Sequence, residues 1–295
     1  MPAYLGGRFD VCGNKWYGSN AANTSKGLPR SILTVLLNDK DTGAPLALIA
    51  ANLISAVRTG AVPAVAARYL ARKDSECIAV IGCGPINKSC FRHIVSQTKN
   101  IKKVYCFDLF LEKAQAFADY ANKEFGFDGI ATDDLSAALK DADIVTVAAS
   151  RLKPLHIDSS WLKKGVTVLL TGPANGDDDF WLKSRIVLDN EKLHEAYVEE
   201  AIASGDKEGY YKGVIGGPIY SLIDAGKLPK LEDFADMGNV ILGNKPKRMN
   251  EEENIIFVAC GMAVYDVAVA YDLYKRALEQ GVGQKLLLWD EPYLK

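Results

Sequence analysis

The stretch that decides the fold is Cys77-Ile-Ala-Val-Ile-Gly-Cys-Gly-Pro-Ile-Asn87. Its first half is a near-continuous apolar run, the pattern of a strand buried on both faces of a parallel sheet. It breaks at Gly82-Cys-Gly84 and reopens as a predicted helix over 88–96. A glycine at the first position of such a break permits the sharp strand-to-helix turn. A glycine at the second removes the Cβ that would block a diphosphate from the amides at the positive end of the helix. Gly82, Gly84, Pro85 and Ile86 are therefore candidate dinucleotide-binding residues, with Asn87 where the fingerprint has its third glycine.

Working outward, the chain alternates between the two element types from about 77 to 190, as a parallel sheet with helices on both faces does. Lys103–Phe107 is a predicted strand, Leu111–Phe125 a helix, and Asp143–Ala148, Val166–Leu170 and Arg185–Leu188 further strands. Asp108 closes the strand at 103–107. There its carboxylate can accept hydrogen bonds from an adenosine ribose, and its charge disfavours a 2′-phosphate, so NAD is expected rather than NADP. Ala148 and Ser150, after another strand, are expected along the cofactor edge. Residues 1–50 read as β-rich, with Ser31–Leu37 and Ala44–Ala50 as a hairpin about the Asn38-Asp-Lys-Asp-Thr-Gly43 turn. Asn52 is a predicted cap of the helix that follows. Asn250 with Glu253 matches a capping box, which predicts one long helix from Ile255 to about Leu278.

Composition removes several function classes. The 35 basic and 37 acidic residues leave a formal charge of −2, with no basic block to track nucleic acid or anionic lipid. The apolar runs are too short to cross a bilayer, and the opening Met1-Pro2-Ala3-Tyr4 shows no secretory pattern, so a cytoplasmic protein is expected. The six cysteines lack metal-binding spacing, and no metal or disulfide is expected.

Taken in order, Met1-Pro-Ala-Tyr-Leu-Gly-Gly7, Gly13-Asn-Lys-Trp16, Lys26-Gly-Leu-Pro29, Thr42-Gly-Ala-Pro-Leu46, Arg58-Thr-Gly-Ala61, the Gly82-x-Gly84 loop, Trp161-Leu-Lys-Lys-Gly165 and Cys260-Gly-Met-Ala-Val-Tyr-Asp266 resemble the ornithine cyclodeaminase/μ-crystallin family over nearly the whole chain. The resemblance implies an α/β fold in two domains. A Rossmann-type NAD-binding domain would occupy 56–249, and an α+β substrate and dimerisation domain would be formed by 1–55 and 250–295, its N-terminal part truncated relative to the family. It implies a homodimer acting on a small amino or imino acid. It also implies that Lys15 and Arg58 hold the substrate, with Lys15 catalytic. The physical logic agrees: a guanidinium grips a carboxylate bidentately, and a lysine near the reacting carbon can polarise a carboxyl or imine group or move a proton. Against these stand plainer roles, a structural salt bridge for Arg58 and a snorkelling surface side chain for Lys15.

Two departures bear on chemistry. Arg30 stands where the family has a substrate-side threonine, which places a second cation among the substrate-binding candidates. The family's catalytic aspartate loop reads Gly172-Pro-Ala-Asn-Gly-Asp-Asp-Asp179, with Ala174 near the aspartate position and Asp177 and Asp178 just downstream; Asp177 is the catalytic candidate. The expected activity is NAD-dependent hydride transfer at the α-carbon of an amino acid, as in a cyclodeaminase. The alternatives are an amino-acid dehydrogenase or ketimine reductase, and a non-catalytic NAD-binding protein or accessory subunit.

Overall fold

A computed structural model describes residues 1–149 and 154–293. The chain divides into two compact units, Met1–Ser55 with Met262–Lys295, and Ala56–Gly261.

In the first unit, β1 (Pro2–Leu5), β2 (Val11–Ser19), β3 (Ser31–Asn38) and β4 (Pro45–Ala50) form an antiparallel sheet in that order. The β3–β4 turn is fixed by Asp39, whose carboxylate accepts from the Thr42 amide and hydroxyl. Alternation sends Val11, Leu33, Val35 and Leu37 inward, where Val267 and Ala270 of the closing helix cover them. At Gly13 the helix comes so near that an added Cβ would lie 2.9 Å from Val267 Cγ2. The opposite face exposes Tyr4, Trp16, Ile32 and Leu48. Asn52 does not cap the helix it opens, α1 (Asn52–Leu70); its amide instead accepts from Leu33 N–H and donates to Ser31 O, tying the helix start to β3.

The second unit contains β5 (Cys77–Ile81), α2 (Pro85–Gln97), β6 (Lys103–Phe107), α3 (Leu111–Phe125), β7 (Asp128–Thr132), α4 (Leu135–Lys140) and β8 (Ile144–Val147). Next come β9 (Leu155–Ile157), β10 (Thr167–Leu170), β11 (Ala174–Gly176), α5 (Asp178–Leu182), β12 (Arg185–Leu188) and α6 (Glu191–Ala203). The rest are α7 (Lys207–Gly213), α8 (Gly217–Asp224), β13 (Ala235–Asp236), α9 (Met237–Leu242) and β14 (Ile255–Val258), before the closing helix α10 (Ala263–Glu279) of the first unit.

Eight strands make one parallel sheet in the order β13-β12-β14-β10-β8-β5-β6-β7. The order reverses between β5 and β8, the switch point where such sheets bind nucleotides at their strand carboxyl ends. Two cores lie on its faces. Ile78 and Val80 join α1, α2 and α3 residues in one, and Ala79 and Ile81 join the other with Leu139, Phe180 and Tyr220.

The segment at 250–261 departs from expectation. Ile255–Val258 is not the start of a helix but the strand β14, paired with β10 and β12 and buried on both faces. The capping-box residues sit in a loop: the Glu253 carboxylate accepts from Met249 N–H, and Arg248 donates to the Asn250 and Glu253 carbonyls. Because β14 completes the large sheet, the second unit runs to Gly261 rather than stopping near 249. Gly261, at φ +81°, turns the chain before α10 begins.

Candidate functional site

The loop after β5 is shaped by its glycines. Gly82 has φ +88°, a left-handed conformation, and a Cβ there would lie 2.9 Å from Ala149 Cα. Gly84 is the N-cap of α2, with Pro85 at the first turn, and a Cβ on it would meet nothing within 4 Å. Open space therefore stands in front of the first amides of a 13-residue helix, at its positive end. The Cys83 thiol is held well above its usual pKa, first by its hydrogen bond with Cys106 and then by burial, so it brings no negative charge to this seat.

Asn87 explains the missing third glycine. It is fully buried, and its Nδ2 donates to the carbonyls of Ile81 at 2.9 Å, Gly82 at 2.9 Å and Thr146 at 3.2 Å, while its Oδ1 accepts from Thr146 Oγ1 at 2.8 Å. One side chain thus pins the turn after β5 to β8, a task the usual motif leaves to close helix–strand packing. Asp108 sits beside the loop, accepting from Cys83 N–H at 2.8 Å and from Phe110 N–H at 3.2 Å. Pro85 and Ile86 are exposed, and Ala148 lies at the end of β8 with its N–H on Ile81 O. Ser150, the remaining cofactor candidate, falls outside the described residues.

Arg58 lies half-buried on α1. Two residues on, Gly60 lets α1 and α2 touch: a Cβ there would lie 2.6 Å from the Ser89 backbone, and Ser89 Oγ donates to Ala56 O. The glycine of the Arg-Thr-Gly-Ala motif is thus a packing requirement that fixes where Arg58 stands on its helix. Its guanidinium lies against Gly261, where an added Cβ would come within 2.7 Å of Nη1.

Lys15 does not snorkel. It points inward from β2, 3% exposed, with Nζ 2.8 Å from Asp266 Oδ1 and 3.2 Å from Ser55 Oγ. Asp266, in the first turn of α10, is fully buried. Its role was not anticipated; the available signal was an acidic residue set among Ala263, Val264, Val267 and Ala268, where a solvated carboxylate has no place.

The catalytic candidate Asp177 is engaged elsewhere. Asp177 is the N-cap of α5: its carboxylate accepts from Phe180 N–H at 3.0 Å, Ser159 N–H at 3.2 Å and Ser159 Oγ at 2.7 Å. A carboxylate committed to three donors serves as a structural cap rather than the expected proton carrier. Asp178 pairs with Lys227 and Asp179 with Lys183. Arg30 is exposed just ahead of β3.

A further buried group, Asp189, His194 and Cys260, has metal-ligand chemistry, with ligand atoms within 4.8 Å of one another. Both histidine nitrogens are already engaged, Nε2 with Asp189 at 3.0 Å and Nδ1 with the Tyr220 hydroxyl at 2.7 Å, which makes it a hydrogen-bonded network. Among the described residues, no helix is long and apolar enough to cross a membrane.

Comparison with known proteins gives the family. A Δ1-pyrroline-2-carboxylate reductase of Bacillus cereus is 34% identical over 252 residues, covering 85% of this chain and 73% of the relative. The solved structure of Thermococcus litoralis Δ1-pyrroline-2-carboxylate reductase, in complex with NADH and L-proline, superposes with a TM-score of 0.81 at 28% identity, covering 97% of this chain and 84% of that one. An archaeal alanine dehydrogenase dimer with bound NAD gives a TM-score of 0.79 at 27% identity, covering 98% and 88%. The sequence profile of the ornithine cyclodeaminase/mu-crystallin family matches residues 1–281, and the chain belongs to that family.

Proposed function

We propose that this chain is an NAD(H)-dependent oxidoreductase of α-amino and α-imino acids, running the reductase or dehydrogenase half-reaction rather than a full cyclodeamination. The observation that carries the cofactor assignment is the open cradle at Gly84, at the switch point of the parallel sheet and flanked by the Asp108 carboxylate. The residues present fit the group. Gly82, Cys83 and Gly84 offer a surface for a diphosphate, α2 offers its positive end, and Asp108 faces the place of a ribose. Bound NADH supplies the hydride that, with one proton, turns a C=N carbon into an amine carbon. Arg58 holds the substrate carboxylate through two parallel hydrogen bonds. By the family resemblance, Lys15, paired with Asp266, is the residue that polarises the imine or delivers the proton to its nitrogen.

The choice of half-reaction rests on Asp177. Cyclodeamination needs a carboxylate to manage protons at the departing amine, and Asp177, just downstream in sequence of the family's aspartate position, is committed to Ser159 and Phe180. The similar proteins named above are reductases and a dehydrogenase, which supports the same choice. The unit also works as a homodimer in this reading: Tyr4, Trp16, Ile32 and Leu48 form an exposed apolar sheet face of the kind a second copy covers. The activity test follows absorbance at 340 nm and ammonia with Δ1-pyrroline-2-carboxylate, pyruvate plus ammonia, L-proline, L-alanine and L-ornithine. Oxidation of NADH by an imine, or reduction of NAD by an amino acid, is expected. Ammonia release from ornithine without net change in NADH would establish a cyclodeaminase instead, and light scattering at the mass of one chain would remove the dimer.

A further inference from the structure

Asp189 is an unusual expenditure of buried charge. It follows β12, is 4% exposed, and its backbone N–H continues the sheet ladder by donating to Val258 O. Its carboxylate is surrounded by donors: Oδ1 accepts from Asn190 N–H at 3.0 Å and faces His194 Nε2 at 3.0 Å, and Oδ2 accepts from Gly261 N–H at 2.8 Å. His194 on α6 is fully buried, and its other nitrogen meets the hydroxyl of Tyr220 on α8 at 2.7 Å. These partners are satisfied together when Nε2–H donates to Asp189 and the Tyr220 O–H donates to Nδ1. A fold needing only a filled core would put apolar residues here, since a buried carboxylate is costly unless fully hydrogen-bonded.

What the carboxylate secures is the far end of β14. Gly261 turns at φ +81°, and its Cα face is the surface on which the Arg58 guanidinium rests, near enough that a Cβ would come within 2.7 Å of Nη1. We propose that Asp189 is a positioning residue for Arg58: it fixes the Gly261 amide, and His194 and Tyr220 orient its carboxylate for that task. The inference rests on the reading that Arg58 binds the substrate carboxylate. A planar guanidinium making two parallel bonds tolerates little displacement, so loosening its support acts on substrate and leaves the cofactor alone. The ladder bond from Asp189 N–H to Val258 O does not depend on the side chain, so the sheet survives the loss of the carboxylate.

The test uses the full-length chain with Δ1-pyrroline-2-carboxylate and NADH. Asp189→Ala should raise KM for the imino acid about 10- to 100-fold, the scale expected of an ångström-level misplacement, while the Kd for NADH, read by fluorescence, stays within about twofold. Tyr220→Phe, which keeps the ring packing, should give a smaller effect of the same kind and serves if Asp189→Ala does not fold. The discriminating step is a double-mutant cycle. In an Arg58→Ala background, Asp189→Ala should add less than about twofold, because its action passes through Arg58. Full additivity, or an unchanged KM, overturns the proposal. Wild-type protein that binds NADH but turns over no imino or amino acid defeats the functional reading instead. The inference is then decided by crystal structures of the wild type and of Tyr220→Phe: a guanidinium that keeps its place against Gly261 in both overturns it, and one that moves sustains it.

Discussion

Replacing Asp266 is the sharpest test of how the first unit holds its buried lysine. At 2.8 Å, and with the effective dielectric constant of about 20 that suits protein sites, the attraction between Lys15 and Asp266 amounts to about 6 kcal/mol. Asp266→Ala forfeits that attraction and strands an ammonium that is only 3% exposed; breaking such a pair costs about 3–5 kcal/mol. For a chain of this size, that should lower Tm by roughly 10 °C. Lys15→Met combined with Asp266→Leu removes both charges and keeps the volume filled, so stability should return to within about 1 kcal/mol of wild type. Turnover should not return, since the ammonium is gone. Thermal unfolding by calorimetry and NADH oxidation at 340 nm, on the same samples, separate the two effects. An Asp266→Ala variant that loses less than 1 kcal/mol refutes the buried ion pair, and a Lys15→Met variant with full turnover refutes the catalytic role.

Four further outcomes follow from the second unit. Gly84→Ala adds a methyl to open space and should leave Tm within a degree or two, yet raise the Kd for NADH at least tenfold (about 1.4 kcal/mol). Gly82→Ala should instead destabilise the fold by about 1–2 kcal/mol or more, because φ is +88° and Ala149 is in the way; equal behaviour of the two variants in both assays argues against the cradle. Asp108→Ser should raise the NADPH-to-NADH ratio of kcat/KM more than tenfold by removing the charge that repels a 2′-phosphate, and an unchanged ratio places the ribose elsewhere. Asp143 gives a pH dependence. Burial alone would raise its pKa, but Lys163 and the amides of Glu76 and Cys77 outweigh it and hold the carboxyl below the ordinary range. A carboxylate with a depressed folded-state pKa stabilises fully above its unfolded value and loses that contribution as pH falls through the folded one. Denaturant midpoints should therefore be flat above pH 5 and drop below about pH 4, with Asp143→Asn removing part of that slope; an identical slope in the variant contradicts the assignment.

Much of the second unit was legible because a parallel strand buried on both faces leaves no polar position. Cys77–Ile81 and Leu111–Phe125 carry their assignment in composition and period alone. Ile255–Val258 misled because a short apolar run satisfies a helix and a buried strand equally. Only its two neighbours in the sheet, 85 residues or more away in one case and about 70 in the other by the register Thr167↔Ile255 and Arg185↔Ile255, settle which it is. The proposed substrate residues Lys15 and Arg58 entered through resemblance, whereas the residues beside them did not. Asp266 meets Lys15 from the other end of the chain, and Asp189 holds the amide of Gly261, against which Arg58 lies; no local pattern encodes either. Asn87 was visible as a missing glycine, but its three carbonyl partners on β5, the loop and β8 were not. Asp177 was a catalytic candidate because it lies just downstream of the family's aspartate position, yet Asp177 with Asp178 and Asp179 in the first turn of α5 is also the pattern of an N-cap.

In the proposed reaction, hydride passes directly between the nicotinamide and the α-carbon of a bound imino or amino acid. Incubating the protein with Δ1-pyrroline-2-carboxylate and NADH deuterated at C4, then weighing the proline formed, tests it most directly. One stereospecifically transferred deuterium at the α-carbon is the expected result, formed far more slowly in Arg58→Ala and lost in Lys15→Met. Proline without label from either face of the dihydronicotinamide, or no proline from protein that binds NADH, would contradict the account.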